Sequence, residues 1–142
     1  MQLEYSVEAD VSPEFAWKFR TDVANWNDPP ATFALEGPFE AGASGTTVLP
    51  GQPPIHWRIR DITPGKSFTL EMQLDGATLT FEWILEAVSG HRTRLTQRIV
   101  LSGVNAQSYA AQVEAGFGPT LADGMKRVAA EMTSAGREEK PH

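Results

Sequence analysis

The stretch SFTLEMQLDGATLTFEWILEAV, residues 67–88, has the pattern of two alternating strands joined by a tight turn. In each half, large apolar residues occupy every second position and mostly polar residues lie between them, as in strands with one buried face. Asp75-Gly76 lies between the halves and favours a two-residue hairpin turn. The apolar positions are Phe68, Leu70, Met72, Leu74, Leu79, Phe81, Trp83 and Leu85. The stretch therefore predicts an antiparallel sheet with one face rich in large apolar side chains.

Further strands are predicted on both sides of this hairpin. They cover residues 2–9, 32–40, 45–50, 55–62 and 93–103, and the same alternation recurs in 2–9, 55–62 and 93–103. Short turns join most neighbours, which favours antiparallel pairing. In the last strand Gln97 shares the phase of the apolar residues and is predicted to point inward. An unpaired buried amide costs roughly 1–3 kcal/mol, so Gln97 needs a partner from the protein, water or a ligand.

Two short helices are predicted after the first strand, and one long helix follows the last strand. Ser12 and Pro13 form a helix start signal, and Asp22 caps a second turn that ends at Pro29-Pro30. From residue 105 onward, apolar residues recur every three or four positions to near residue 134, as in an amphipathic helix. We expect Pro119 to kink this helix and Gly136 to end it.

Length, charge and composition exclude several classes of protein. The 142 residues fit one domain, predicted as 1–136 with a tail at 137–142. The chain carries a net charge of −6 and no cysteine. No basic stripe supports nucleic-acid binding, and no apolar run approaches the ~20 residues of an integral membrane segment. The histidines lack metal-ligand spacing, so we expect no metal and no cofactor. The first residues lack a signal-peptide pattern, so we expect a cytoplasmic protein. We expect it to be a monomer or a homodimer.

Three segments resemble the START-like (SRPBCC) superfamily, which includes birch-pollen-allergen-like proteins and polyketide cyclases and dehydratases. They are VEADVSPEFAWKFRTDVANWNDPP (7–30), RIRDITPGKSFTLE (58–71) and RTRLTQRIVLSG (92–103). His91-Arg92 stands where such proteins usually have glycine. The resemblance implies an α+β helix-grip fold, with a curved antiparallel sheet of about seven strands around a long C-terminal helix. It also implies a cavity between sheet and helix that opens near the short helices.

The candidate ligand-binding residues are those expected to face this cavity. The resemblance implies that Trp17 packs in the core and that Trp26 lies near the cavity mouth. Simple core packing is the alternative for every apolar residue of the set, and no catalytic residue can be named. The set is Trp26, Trp57, Phe68, Met72, Phe81, Trp83, Gln97, Tyr109, Val113, Phe117 and Leu121.

Three functions fit this pattern. The first is a binding protein that holds a small hydrophobic or aromatic metabolite, or a lipid, with Gln97 and Tyr109 orienting its polar end. The second is a polyketide cyclase/dehydratase-like enzyme, which needs an ionisable or hydroxyl group inside the cavity. The third is a protein-interaction module of the chaperone-activator type, which would use outward residues such as Arg58 and Arg60. The mostly apolar inner face favours the first.

Overall fold

A computed structural model of the chain describes residues 1–139. Seven antiparallel strands form one sheet in the order β1-β7-β6-β5-β4-β3-β2, which confirms the predicted α+β helix-grip fold. A short α-helix and a one-turn 3-10 helix (Val23–Asn25) follow β1. The elements are β1 (Gln2–Ala9), α1 (Pro13–Arg20), β2 (Thr32–Leu35), β3 (Ser44–Val48), β4 (Ile55–Thr63), β5 (Ser67–Leu74), β6 (Ala77–Ser89), β7 (Arg92–Ser102) and α2 (Ala106–Glu139).

Side-chain caps set the start of both short helices. The Ser12 hydroxyl accepts a hydrogen bond from the Phe15 N–H at 3.1 Å, and Pro13 occupies the first helical position. The Asp22 carboxylate accepts a hydrogen bond from the Ala24 N–H at 3.1 Å and caps the 3-10 turn. These bonds satisfy amide donors that a helix start leaves free.

Strand β4 contains an irregularity that simple alternation did not predict. Its pairing with β5 shifts between Ile59 and Asp61, so Arg60 is the extra residue of a bulge. After the shift Ile62 pairs with Phe68, so the strand keeps an apolar residue opposite a core position. Strand β2 is shorter than predicted, because residues 36–39 form bends and residue 40 belongs to no strand.

Helix α2 runs without interruption through Pro119 and past Gly136, so the predicted end of the helix at Gly136 was wrong. A Cβ atom at Gly136 would lie 2.6 Å from Val11 Cγ1. Gly136 therefore allows the helix to pack closely against the corner that follows β1. Of the predicted tail, residues 137–139 belong to the helix and residues 140–142 lie outside the described residues.

The core consists of two packed clusters on the inner face of the sheet. One contains α1, the following turn and the C-terminal half of α2, with Phe68 and Met132 at its centre. The other lies under the N-terminal half of α2 and contains Ile99 and Val113. Phe81 and Leu121 contact both clusters. These two residues therefore mark where the packed regions meet.

The outer face of the sheet is braced by ion pairs. Arg98 donates hydrogen bonds to Glu4 at 2.7 Å and to Glu82 at 2.6 Å, and the bond to Glu4 raises the pKa of Arg98. Arg58 contacts Glu71 at 3.2 Å. Glu71 is only 8% exposed, although it lies on the outer face of the sheet. These arginines have partners within the sheet itself.

Candidate ligand-binding cavity

A cavity of about 350 Å³ lies between the sheet and α2, where the two core clusters meet. Strands β2–β7 contribute its floor, and the middle of α2 and the segment after the 3-10 turn complete the wall. Six aromatic residues line it: Trp26, Phe33, Trp57, Phe81, Trp83 and Phe117. The wall is thus mostly apolar, as in most small-molecule sites.

Most of the predicted ligand-binding residues lie on this wall. They are Trp26, Trp57, Met72, Phe81, Trp83, Gln97, Phe117 and Leu121. Phe81 and Phe117 meet edge to face with ring centroids 5.3 Å apart, which joins the sheet to α2 at one end of the cavity. Gln97 pairs with Trp83 across β6 and β7 and supplies a neutral hydrogen-bonding group.

The structure places the other three predicted site residues away from the wall. Phe68 is fully buried and packs edge to face against Trp17. Tyr109 donates a hydrogen bond to the Asp75 carbonyl at 3.2 Å, and Val113 is buried in the cluster under the first part of α2. Each therefore has a packing role, and the predicted role of Tyr109 in orienting a ligand has no geometric support.

The tryptophans of the first helical segment differ in position. Trp17 packs on Phe68 and does not line the cavity, whereas Trp26 does. The Trp26 indole N–H donates to the Arg20 carbonyl at 2.8 Å, and its ring centroid lies 5.6 Å from that of Trp57. With its polar atom already bonded, the Trp26 ring offers apolar surface to the cavity.

Trp57 is held against the backbone of β3. Its indole N–H donates to the Thr47 hydroxyl at 3.0 Å, and Gly45 lies beneath its ring. A Cβ atom at position 45 would overlap that ring, so only glycine leaves room for Trp57 in this position. Gly45 thus helps to set the cavity volume.

Arg20 is one of the wall residues that the sequence analysis missed. It is the last residue of α1, and its guanidinium carbon lies 3.8 Å from the Trp83 ring centroid and 4.8 Å from that of Trp26. Buried Ala16 lies four residues earlier, so Arg20 continues the buried face of α1. That spacing was the available signal.

The Arg20 guanidinium lacks a close counter-ion. Its Nε atom is the one buried side-chain nitrogen or oxygen among residues 1–139 without a hydrogen-bond partner, although the residue as a whole keeps partial exposure. Burial lowers the pKa of Arg20 to about 9, and the negative charge of Glu131 opposes part of this shift. The cavity wall therefore carries the positive charge of Arg20, which other groups of the protein neutralise only in part.

Two polar contacts cross the cavity mouth. Arg127 on α2 contacts Asp28 at 2.8 Å, and Asn27 donates a hydrogen bond to Glu131 at 3.2 Å. All four side chains belong to the segment after the 3-10 turn or to α2. Those of Asn27, Asp28 and Arg127 line the mouth. The contacts tie that segment to α2.

Within residues 1–139, no group of three or more metal-ligating side chains lies close enough together to hold an ion. No helix in the same range is long and apolar enough to cross a membrane.

A curved antiparallel sheet that holds a cavity against one long helix defines the class of helix-grip proteins. The chain belongs to the family described as "Polyketide cyclase / dehydrase and lipid transport", whose model matches residues 1–133. No curated protein matches the sequence.

Solved structures share the fold at low sequence identity. Norcoclaurine synthase from Thalictrum flavum, in complex with dopamine and hydroxybenzaldehyde, is 12% identical over 100% of this chain and 89% of its own, with a TM-score of 0.72. Protein NE0264 from Nitrosomonas europaea is 14% identical over 100% and 97% of the two chains, with a TM-score of 0.71. The di-domain ARO/CYC BexL from the BE-7585A biosynthetic pathway is 17% identical over 97% of this chain and 46% of its own, with a TM-score of 0.64.

Proposed function

We propose that this protein binds a small, mostly apolar molecule, such as a ring compound or a medium-length acyl chain, in the cavity under α2. The observation that carries the proposal is the aromatic-walled space of about 350 Å³ between two packed core clusters. Protein interiors of this size normally contain few voids larger than a water molecule. A preformed apolar void of this volume favours a ligand.

The size of the cavity limits the ligand. Small-molecule pockets span roughly 300–1,000 Å³, and this one lies near the lower end. A compound with two or three rings, or a medium-length chain, fits this volume better than a two-chain membrane lipid. Burying such a compound contributes roughly 25 cal/mol per Å² of apolar surface before the costs of association.

The comparisons support binding of this kind. The family description names cyclases, dehydrases and lipid transport, and the norcoclaurine synthase structure contains two small aromatic compounds. These are properties of the relatives, and they make an apolar or aromatic small molecule the natural ligand class to test.

Two glycines of α2 provide a matched test by calorimetric titration. Gly124 lines the cavity, Gly116 does not, and a Cβ atom at either position meets nothing within 4 Å. The probes are 2-naphthoate and 2-naphthalenemethanol, with decanoate and 1-decanol as chain analogues. We expect Gly124→Phe to weaken binding at least tenfold, because its ring occupies the cavity, and Gly116→Phe to bind as the original protein does. Equal effects of the two variants would contradict the proposal.

A second candidate is a cyclase- or dehydratase-like enzyme, and Arg20 is the observation that favours it. A cation inside an apolar site stabilises the oxyanion that forms when a ketone enolises. However, among residues 1–139 the one carboxylate on the cavity wall is Asp28, which lies at the mouth and is paired with Arg127. Binding without chemistry therefore ranks first. Incubation with a linear poly-β-ketone distinguishes the two, because only the enzyme accelerates formation of an aromatic product over buffer.

A further inference from the structure

We infer that the ligand carries an anionic group of the carboxylate class and that Arg20 is the residue that binds it. This inference rests on the proposed function and specifies the chemistry of its ligand. It assigns one polar anchor to a cavity whose walls are otherwise mostly apolar.

The position of Arg20 is the first step. Its guanidinium lies against the rings of Trp83 and Trp26, both of which line the cavity. Contact with two indole rings restricts the guanidinium through cation–π attraction. The group is therefore preorganised beside the space that a ligand would occupy, and little rotamer entropy remains to be lost on binding.

The second step is that the protein leaves this charge without a partner. None of the ion pairs formed by residues 1–139 includes Arg20, and its buried Nε has no hydrogen-bond acceptor. Glu131, whose negative charge acts on Arg20, instead accepts a hydrogen bond from Asn27. The carboxylate of Asp28 is paired with Arg127. A buried charge without a partner is unfavourable, and an anionic ligand removes that deficit.

The third step is the match of shape. A guanidinium presents N–H donors in a planar fork that fits the two oxygens of a carboxylate. One such group bonded to a compact apolar body satisfies both Arg20 and the aromatic wall. The predicted ligand class is thus an aromatic monocarboxylate or a medium-chain fatty acid.

The experiment compares compounds that differ mainly in charge. Calorimetric titrations measure the Kd of 2-naphthoate against 2-naphthalenemethanol, and of decanoate against 1-decanol, for the original protein and two variants. Arg20→Met removes the charge but keeps an apolar stem. Arg92→Met is the matched control, because it removes a cation that already has partners in Glu8 and Asp10 and that does not line the cavity. The Arg20 Nε–H signal in ¹H–¹⁵N spectra reports contact directly.

We expect the original protein and Arg92→Met to bind each acid at least tenfold more tightly than its alcohol, since charge-assisted hydrogen bonds are the stronger class. Arg20→Met should lose this preference by weakening acid binding alone. In the original protein, the Arg20 Nε–H signal should shift with the acids and not with the alcohols. Equal binding of acid and alcohol by the original protein, or equal weakening of both by Arg20→Met, would overturn the anion assignment and leave the proposed function standing. Binding of none of the four compounds would overturn both.

Discussion

Trp26 contacts Arg20 in two ways, through a hydrogen bond to the Arg20 backbone and through contact between the two side chains. The Trp26 indole N–H donates to the Arg20 carbonyl at 2.8 Å, and the Arg20 guanidinium lies 4.8 Å from the centroid of the Trp26 ring. The hydrogen bond ties the segment after the 3-10 turn to the end of α1. The ring contact orients the cation toward the cavity. One tryptophan thus positions both the cavity mouth and the candidate anchor.

Replacing Trp26 should therefore affect binding more than replacing Trp17. Trp26→Phe loses the indole hydrogen bond, which contributes about 1 kcal/mol, and weakens the restraint on Arg20. We expect the Kd for 2-naphthoate to rise several-fold. Trp17→Phe, the matched control, should lower the free energy of unfolding but leave the Kd unchanged, because Trp17 packs on Phe68 outside the wall. A larger effect on binding from Trp17→Phe would argue against the cavity as the site.

Arg20 should stabilise the complex but destabilise the free protein. In the absence of ligand, Arg20→Met removes a buried charge and keeps apolar contact with the indole rings. We expect the free energy of unfolding to rise by about 1–3 kcal/mol, by analogy with buried ion pairs replaced by apolar residues. Chemical denaturation at neutral pH measures this change. A clear loss of stability would show that Arg20 holds the fold together rather than a ligand.

The same variant predicts a pH dependence. Because burial lowers the pKa of Arg20 to about 9, the folded protein binds fewer protons than the unfolded chain between pH 9 and the ordinary pKa of arginine. Stability therefore rises with pH in that window, and the cost of burying the Arg20 charge is fully present below it. The stability advantage of Arg20→Met should shrink from pH 8 to pH 10.5. Subtracting the free energy of unfolding of the original protein from that of Arg20→Met at each pH cancels the contribution of the lysines and tyrosines. A difference that stays constant with pH would refute the prediction.

Gly45→Ala should reduce both stability and binding. The added methyl overlaps the Trp57 ring and forces that ring toward the cavity. We expect a loss of about 1–3 kcal/mol in the free energy of unfolding, as for other overpacked cores, and weaker binding of 2-naphthoate. Gly116→Ala is the control, because its methyl meets open space and favours the helix by up to about 1 kcal/mol. Binding of 2-naphthoate by Gly45→Ala at the original Kd would mean that Trp57 does not limit the cavity.

The contact between Asp28 and Arg127 should control how fast a ligand leaves. Both side chains are about half exposed or more, so the pair contributes at most about 1 kcal/mol to stability. Asp28→Asn should leave the free energy of unfolding nearly unchanged and raise the dissociation rate of 2-naphthoate several-fold in stopped-flow fluorescence. Asp10→Asn, which breaks an exposed ion pair with Arg92, is the control and should leave the rate unchanged.

The strands and the long helix were predictable because each has a regular apolar period and clear turn or cap residues. Alternation places Met72, Phe81, Trp83 and Gln97 on the inner face, and all four line the cavity. Periodicity does not say where along a 34-residue helix the packing opens. Tyr109 and Val113 therefore share the buried face of α2 with Phe117 but lie over packed core.

Two other differences come from tertiary contacts that local sequence does not encode. Gly136 has the pattern of a helix end, yet the structure uses it for close packing against Val11. Arg20 has the pattern of a basic residue in the last turn of a helix, where cations are favoured at the surface. The fold instead places it against Trp83, which is far away in sequence.

The four tryptophans allow the most direct measurement, a titration with 2-naphthoate followed by the indole N–H signals in ¹H–¹⁵N spectra. Trp26, Trp57 and Trp83 line the cavity, and Trp17 serves as an internal control outside it. Binding in the cavity predicts saturable shifts of the first three signals with one Kd and little change at Trp17. Unchanged indole signals at saturating 2-naphthoate, or a shift confined to Trp17, would contradict the account.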